Sequence, residues 1–226
     1  MFCFCFGRWR IGMWSVWSLL AIICLAYGAF AIFAGFSVTE TEKIRAFPIA
    51  FQFHALAGGV VLIVGIFQFN PSIKTRWVWL HRWGGQIYVV SALVASIAAL
   101  INAAFFDVNW TARLSFTLLG ITWFFATANA YRLIRKRKFA LHREWMLRSF
   151  SLSLFFVTFS IWVPALAVSG IEQNAAYVIA VTLSWVFNLL GAETWIRLTR
   201  KRFRLKPLQN LVPQTLVKPP NELERF

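Results

Sequence analysis

The sequence predicts an all-α protein, a polytopic bundle of six membrane-spanning helices with both termini on the cytoplasmic side. Three observations predict it. First, 59% of the 226 residues are hydrophobic and only 14% are charged, whereas a soluble domain carries about 25% charged residues. Second, six apolar runs approach the roughly 20 residues a helix needs to cross the hydrocarbon core. Third, 20 of the 23 Lys and Arg residues fall in segments that alternate crossings would place on one side. A soluble enzyme and a disordered chain are both excluded by the first observation, apart from the C-terminal tail. No run alternates in the manner of an outer-membrane strand.

Residues 1–12 form a cytoplasmic N-terminus holding Arg8 and Arg10. The first span, residues 13–36, is about 24 residues long, against 7–15 for the core of a signal peptide, so an uncleaved helix is expected. The second and third spans cover residues 49–69 and 83–106. The fourth, residues 114–134, lies between Arg113 and Arg132. The fifth, residues 145–168, carries Pro164, where a kink near its outer end is expected. The sixth is residues 175–196, and the transmembrane domain as a whole runs over 13–206. Residues 207–226, with Pro213, Pro219 and Pro220, read as a disordered cytoplasmic tail.

With the N-terminus inside, the outer segments keep only Lys43, Arg45 and Arg113, and collect Glu40, Glu42, Asp107 and Glu172. The net charge of +15 is therefore a consequence of topology. The basic stretches 132–143 and 197–206 face anionic lipid headgroups, each charge worth about 1 kcal/mol, and no nucleic-acid partner is expected. Trp77, Trp79, Trp83, Trp145 and Trp195 sit where an interfacial aromatic belt lies. Cys3, Cys5 and Cys24 have neither metal nor redox spacing.

Polar groups inside a membrane are costly and are functional candidates by default. His54 lies two turns into the second span; His81 and His142 open the third and fifth. Leu80-His81-Arg82 matches Leu141-His142-Arg143 at an offset of 61 residues. One reading is haem b: paired imidazoles hold an iron, and glycines near a ligand let a porphyrin face approach the helix. Gly84 and Gly85 stand one turn from His81. His54 is 15 residues, about 22 Å along a helix, from Phe69, so only His81 and His142 share a depth and could serve one iron. Arg76, Arg82, Arg143 and Arg148 would then neutralise haem propionates or a quinone or phosphate head. The plainer reading makes His81 and His142 interface contacts and His54 an interhelical hydrogen bond. Glu193, the one acid inside a span, has Arg197 at i+4 and Arg148 at similar depth, and pairing with either would lower its cost. No phosphate-binding loop, HExxH or Gly-x-Ser-x-Gly motif is present.

These residues also carry a resemblance. His54 with Gly58, Gly65 and Gln68, then Arg76, then His81-Arg82-x-Gly84-x-x-Tyr88, then His142-x-x-Trp145-Met146-x-Arg148-Ser149, and finally Glu193, resemble a bacterial family of predicted membrane proteins, the domain-of-unknown-function 2306 family, over residues 47–197. The resemblance implies a multi-span inner-membrane protein, carries no established activity, and implies that His54, Arg76, His81, His142, Arg148 and Glu193 belong to the family's pattern. Two functions are therefore carried forward: a haem- or quinone-linked membrane redox protein using His81 and His142, and a small permease or lipid-interacting bundle using His54 and Glu193.

Overall fold

The computed structural model describes residues 4–37, 48–105 and 108–211. All regular structure among them is helical: α1 (Phe4–Phe36), α2 (Pro48–Gln68), α3 (Pro71–Arg76), α4 (Val78–Phe105), α5 (Trp110–Arg135), α6 (Phe139–Ser153), α7 (Phe155–Ala167) and α8 (Gln173–Leu211). The expected acidic residues Glu40, Glu42 and Asp107, and the tail beyond Leu211, lie outside the described residues.

Many small side chains are buried, beside larger ones such as Tyr88, Trp123 and Phe150, and many large apolar side chains face outward. Ala92, Ala95, Ala112, Ala130 and Ala180 are buried, while Phe30, Phe33, Phe36, Trp110 and Trp195 are exposed. In lipid, large apolar side chains lose nothing by facing outward, and helices gain most where small residues let backbones approach. In sequence order α1 lies against α2, α2 against α4, α4 against α5 and α5 against α6. α8 then rests on α5, α6 and α7.

Four helical segments are long and apolar enough to cross a membrane: Ser15–Phe36, Pro48–Gln68, Val78–Phe105 and Gln173–Arg200. α6 and α7, bent by 41°, make a fifth if they are one span. The sequence expectation of six is therefore not met on composition, and the shortfall is the stretch 114–134. It lies within α5, whose Thr117, Thr122 and Thr127 return their hydroxyls to carbonyls four residues back. Such hydroxyls are satisfied inside the helix but leave it too polar to count as a span by composition.

Two local features differ from expectation. The chain between α2 and α4 contains α3, started by Asn70, whose side chain accepts from the Ser72 N–H at 2.9 Å, with Pro71 following. An Asn N-cap before a Pro at the first helical position is a strong start signal. The break in the fifth expected span falls at Leu154, ten residues before Pro164. Ser151 and Ser153 donate to the carbonyls of Arg148 and Phe150 at 2.8 and 2.7 Å, and hydroxyls turned back on their own helix bend it. α7 runs on through Pro164, which removes the bond its N–H would have made to the Ser160 carbonyl.

Candidate functional site

The three histidines occupy unlike settings. His54, on α2, donates its Nδ1–H to the Ala95 carbonyl of α4 at 2.9 Å. His142, in the first turn of α6, donates its Nδ1–H to the Ala130 carbonyl of α5 at 2.8 Å. A carbonyl can only accept, so both tautomers are fixed with the proton on Nδ1. His81, in the first turn of α4, is different: its Nδ1 is buried and has no hydrogen-bond partner.

His81 and His142 share the basic end of the bundle. His81 and Tyr88 are seven residues apart on α4, His142 and Ser149 seven apart on α6, and seven residues return to nearly the same helix face. The Tyr88 hydroxyl meets Ser149 Oγ at 2.9 Å, so the two histidines stand over the same seam, about two turns nearer its end. Lys74 and His142 are near enough for their charges to act on His81. Lys74, on α3, lies over the Phe69 ring at 5.5 Å. Burial, with the Arg143 guanidinium beside it, holds the Lys74 ammonium below the usual lysine range.

Deeper in the seam the polar groups are joined. Ser149 Oγ meets Thr127 Oγ1 at 2.7 Å, and Thr127 donates to the Trp123 carbonyl at 2.9 Å. Tyr88, Ser149 and Thr127 are each 0% exposed, so α4, α6 and α5 are tied by one hydroxyl chain. The resemblance quoted Tyr88 and Ser149 but not their contact, and neither Thr127 nor Lys74 stood out as a site residue. Scattered Ser and Thr are ordinary in membrane helices, and the offset of 61 between Tyr88 and Ser149, the same as between the histidines, was the hint that the two meet. Lys74 could have been found from the Asn70-Pro71 start signal of α3.

Gln68 ends α2 and is 5% exposed, with its Oε1 unpartnered. Its amide sits against the face of α4 at Gly84, where a Cβ would collide with Gln68 Nε2; Gln68 Oε1 is 3.6 Å from one built at Gly85. These are the glycines expected to admit a porphyrin. The residues present do not fit a haem between His81 and His142: Gln68 fills the glycine face, and the Tyr88–Ser149 bond and the Phe69–Phe150 ring pair, 5.0 Å apart, cross the space further in. Among the described residues no three His, Cys, Asp or Glu gather as a metal site.

The arginines and Glu193 form a separate seam. Arg148 directs Nε and Nη2 to Glu193 Oε2 at 3.1 and 2.7 Å, and stacks its guanidinium 4.8 Å from the Trp145 ring centre. Arg197 reaches Glu193 Oε1 at 3.4 Å. Glu193 thus meets both arginines that its spacing suggested. One and a half turns nearer the basic end, Arg200 and Glu144 form a second ion pair between α8 and α6. Arg76, at the end of α3, and Arg82 are exposed and stand apart from both pairs.

No curated protein and no solved structure matches the chain. The model of one family does, over residues 51–196, and its description is a predicted membrane protein, DUF2306. The match spans α2 to the basic end of α8, and so contains His54, His81, His142, the hydroxyl chain and Glu193 alike: this chain belongs to the DUF2306 family of predicted membrane proteins.

Proposed function

We propose that this protein is a six-span bundle of the bacterial inner membrane, with both termini cytoplasmic, that binds the head of a quinol or quinone at its cytoplasmic end. Two facts support six spans. α5 is 26 residues long, about 39 Å, and it lies between α4, α6 and α8 where a crossing helix would. In this reading α5 and the bent α6–α7 pair are counted with the four apolar spans, and residues 132–138 and the start of α4 fall on the same side as Arg197 and Arg200.

One observation carries the ligand class: Gln68 Oε1 is buried against the Gly84–Gly85 face of α4, His81 stands one turn before those glycines with its Nδ1 also buried, and neither atom has a hydrogen-bond partner. An unmet polar group away from water costs about 1–3 kcal/mol, and buried polar groups are otherwise paired. A carbonyl oxygen that needs a donor and an imidazole nitrogen that can accept or donate, near Lys74 and Arg143, suit a ligand that carries hydroxyl groups and adds no positive charge. A quinol hydroxyl does this, and its isoprenoid tail suits the apolar exterior. His81 and Gln68 are the recognising residues and Lys74, His142 and Arg143 the electrostatic rim, while Arg148 is committed to Glu193 and Arg76 is exposed. The permease reading is less favoured because His54 is spent on Ala95 and Glu193 on two arginines.

The test is a thermal-shift titration of purified protein with decylubiquinol and a short-chain menaquinol. The expected result is a saturable rise in melting temperature that is lost in both His81→Ala and Gln68→Leu and retained in His54→Ala. No rise, or a rise equal in all four proteins, overturns the proposal. A visible spectrum after expression with haem precursor is expected to lack a Soret band; a band that shifts on reduction would restore the haem reading.

A further inference from the structure

Topology accounts for cations at the basic end of the bundle, but not for how two of them are held. Lys74, on α3, is half-buried, while Arg76 two residues on is exposed. The Lys74 ammonium lies over the Phe69 ring at 5.5 Å, and Phe69 packs against Phe150 of α6 with ring centres 5.0 Å apart. Arg143 precedes Phe150 by seven residues and so shares its face of α6, two turns nearer the basic end. Lys74 and Arg143 thus overlook one seam from two helices, near enough for the guanidinium charge to act on the ammonium. His81 and His142 stand within reach of the Lys74 charge as well.

No acid answers this cluster. The carboxylates of the described residues are all committed elsewhere: Glu193 to Arg148 and Arg197, Glu144 to Arg200, and Glu172 to the first turn of α8 at the opposite end. Among the described residues neither Lys74 nor Arg143 has an ion pair. Like charges partly withdrawn from water repel more strongly than exposed ones. The fold therefore holds two cations together where only a counter-charge from outside relieves them. An ammonium beside a guanidinium suits one anion above others: the planar fork bonds two oxygens of a phosphate and the compact point charge a third.

We propose that Lys74 and Arg143 form a binding site for a phosphate group, carried by a lipid headgroup or by free phosphate. The site adjoins the proposed quinol head but does not rest on it, because the atoms that meet the quinol hydroxyls belong to Gln68 and His81.

The experiment follows the melting temperature of the full chain, purified in a neutral detergent, at an ionic strength held constant with sodium chloride. Inorganic phosphate is titrated over the millimolar range in one arm and short-chain phosphatidylglycerol in the other. The wild type is expected to show a saturable rise in at least one arm. Lys74→Met and Arg143→Gln are each expected to raise the half-saturating concentration about tenfold, while Arg76→Gln keeps the wild-type curve. A rise with phosphatidylglycerol alone assigns the phosphate to a lipid headgroup, and a rise with inorganic phosphate shows that the free ion suffices. Without either probe, Lys74→Met is expected to melt no lower than the wild type, since a half-buried like charge is removed and the thioether keeps the contact with Phe69. No saturable rise in either arm, or half-saturation in Lys74→Met and Arg143→Gln equal to that of the wild type, overturns the site. That failure would leave the quinol titration untouched, because neither variant alters Gln68 or His81.

Discussion

The α1–α2 seam and the α6–α8 seam hold helices together by opposite means. α1 meets α2 through glycine. A Cβ on Gly28 would stand 2.9 Å from the Gly59 carbonyl, and one on Gly59 would stand 2.6 Å from the Gly28 carbonyl. A Cβ on Gly35 would reach Leu56 at 2.8 Å. The two backbones touch, and dispersion does the work. α6 meets α8 through two ion pairs, Arg148–Glu193 and Glu144–Arg200, with a groove left between. One seam is defined by what cannot be added, the other by what cannot be removed.

That difference is broken most decisively by volume. Gly59→Leu must displace backbone rather than a flexible side chain, so the expected loss is about 3 kcal/mol or more, read as failure to purify as a monodisperse species. Gly58, one residue earlier, has nothing within 4 Å of a built Cβ, and Gly58→Leu is expected to stay within about 0.5 kcal/mol of wild type. Equal effects at the two positions would remove the distinction between the seams.

Charge tests the other seam. Glu193→Gln leaves Arg148, 16% exposed, without its counter-charge. The expected cost is about 2–3 kcal/mol in detergent unfolding, below the 3–5 of a fully buried pair because Glu193 keeps 31% exposure. Replacing Arg148 by Gln as well should recover part of the loss; strictly additive losses would mean the pair does not act as one.

The two seams also differ in how far the sequence disclosed them. Glu193 stood out because acids are rare in spans, and i+4 spacing with matched depth pointed to Arg197 and Arg148. Nothing marked Gly28 as the partner of Gly59, because α1 is apolar on all sides and lipid removes the polar face that orients a soluble helix. The helical class was legible throughout, since apolar run length alone signals it. The break at Leu154 was not, because it arises from Ser151 and Ser153 rather than from Pro164. At the basic end, His81 and His142 were legible as a pair by their common offset. The role of Gln68 was hidden: two glycines one turn from His81 read equally as space for a ring and as space for an amide, and only the fold decides which fills it.

The hydroxyl chain is intermediate between the seams, since it needs both a fit and a polar match. Ser149→Ala deprives Tyr88 and Thr127 together and is expected to cost about 1.5 kcal/mol. Tyr88→Phe leaves the Ser149–Thr127 bond and should cost about 1 kcal/mol or less. A larger loss for Tyr88→Phe than for Ser149→Ala in the same unfolding assay would place the centre of the chain on the wrong residue.

The smallest effect is expected at the far end of α8, beyond the ion-pair seam. Glu172 caps the helix there, its carboxylate accepting from the Asn174 and Ala175 N–H groups at 3.0 and 2.9 Å. Those two bonds hold its acidity stronger than an ordinary glutamate. A carboxyl whose folded pKa is depressed contributes stability that is present above the unfolded value and lost as pH falls through the folded one. The wild type should therefore lose slightly more melting temperature than Glu172→Gln on acidification through and below the ordinary carboxylate range, with the two curves parallel at neutral pH. Full exposure and salt screening keep the difference small. Curves parallel at all pH values would mean that the cap contributes nothing to α8, and that the charges holding this helix are confined to its seam with α6.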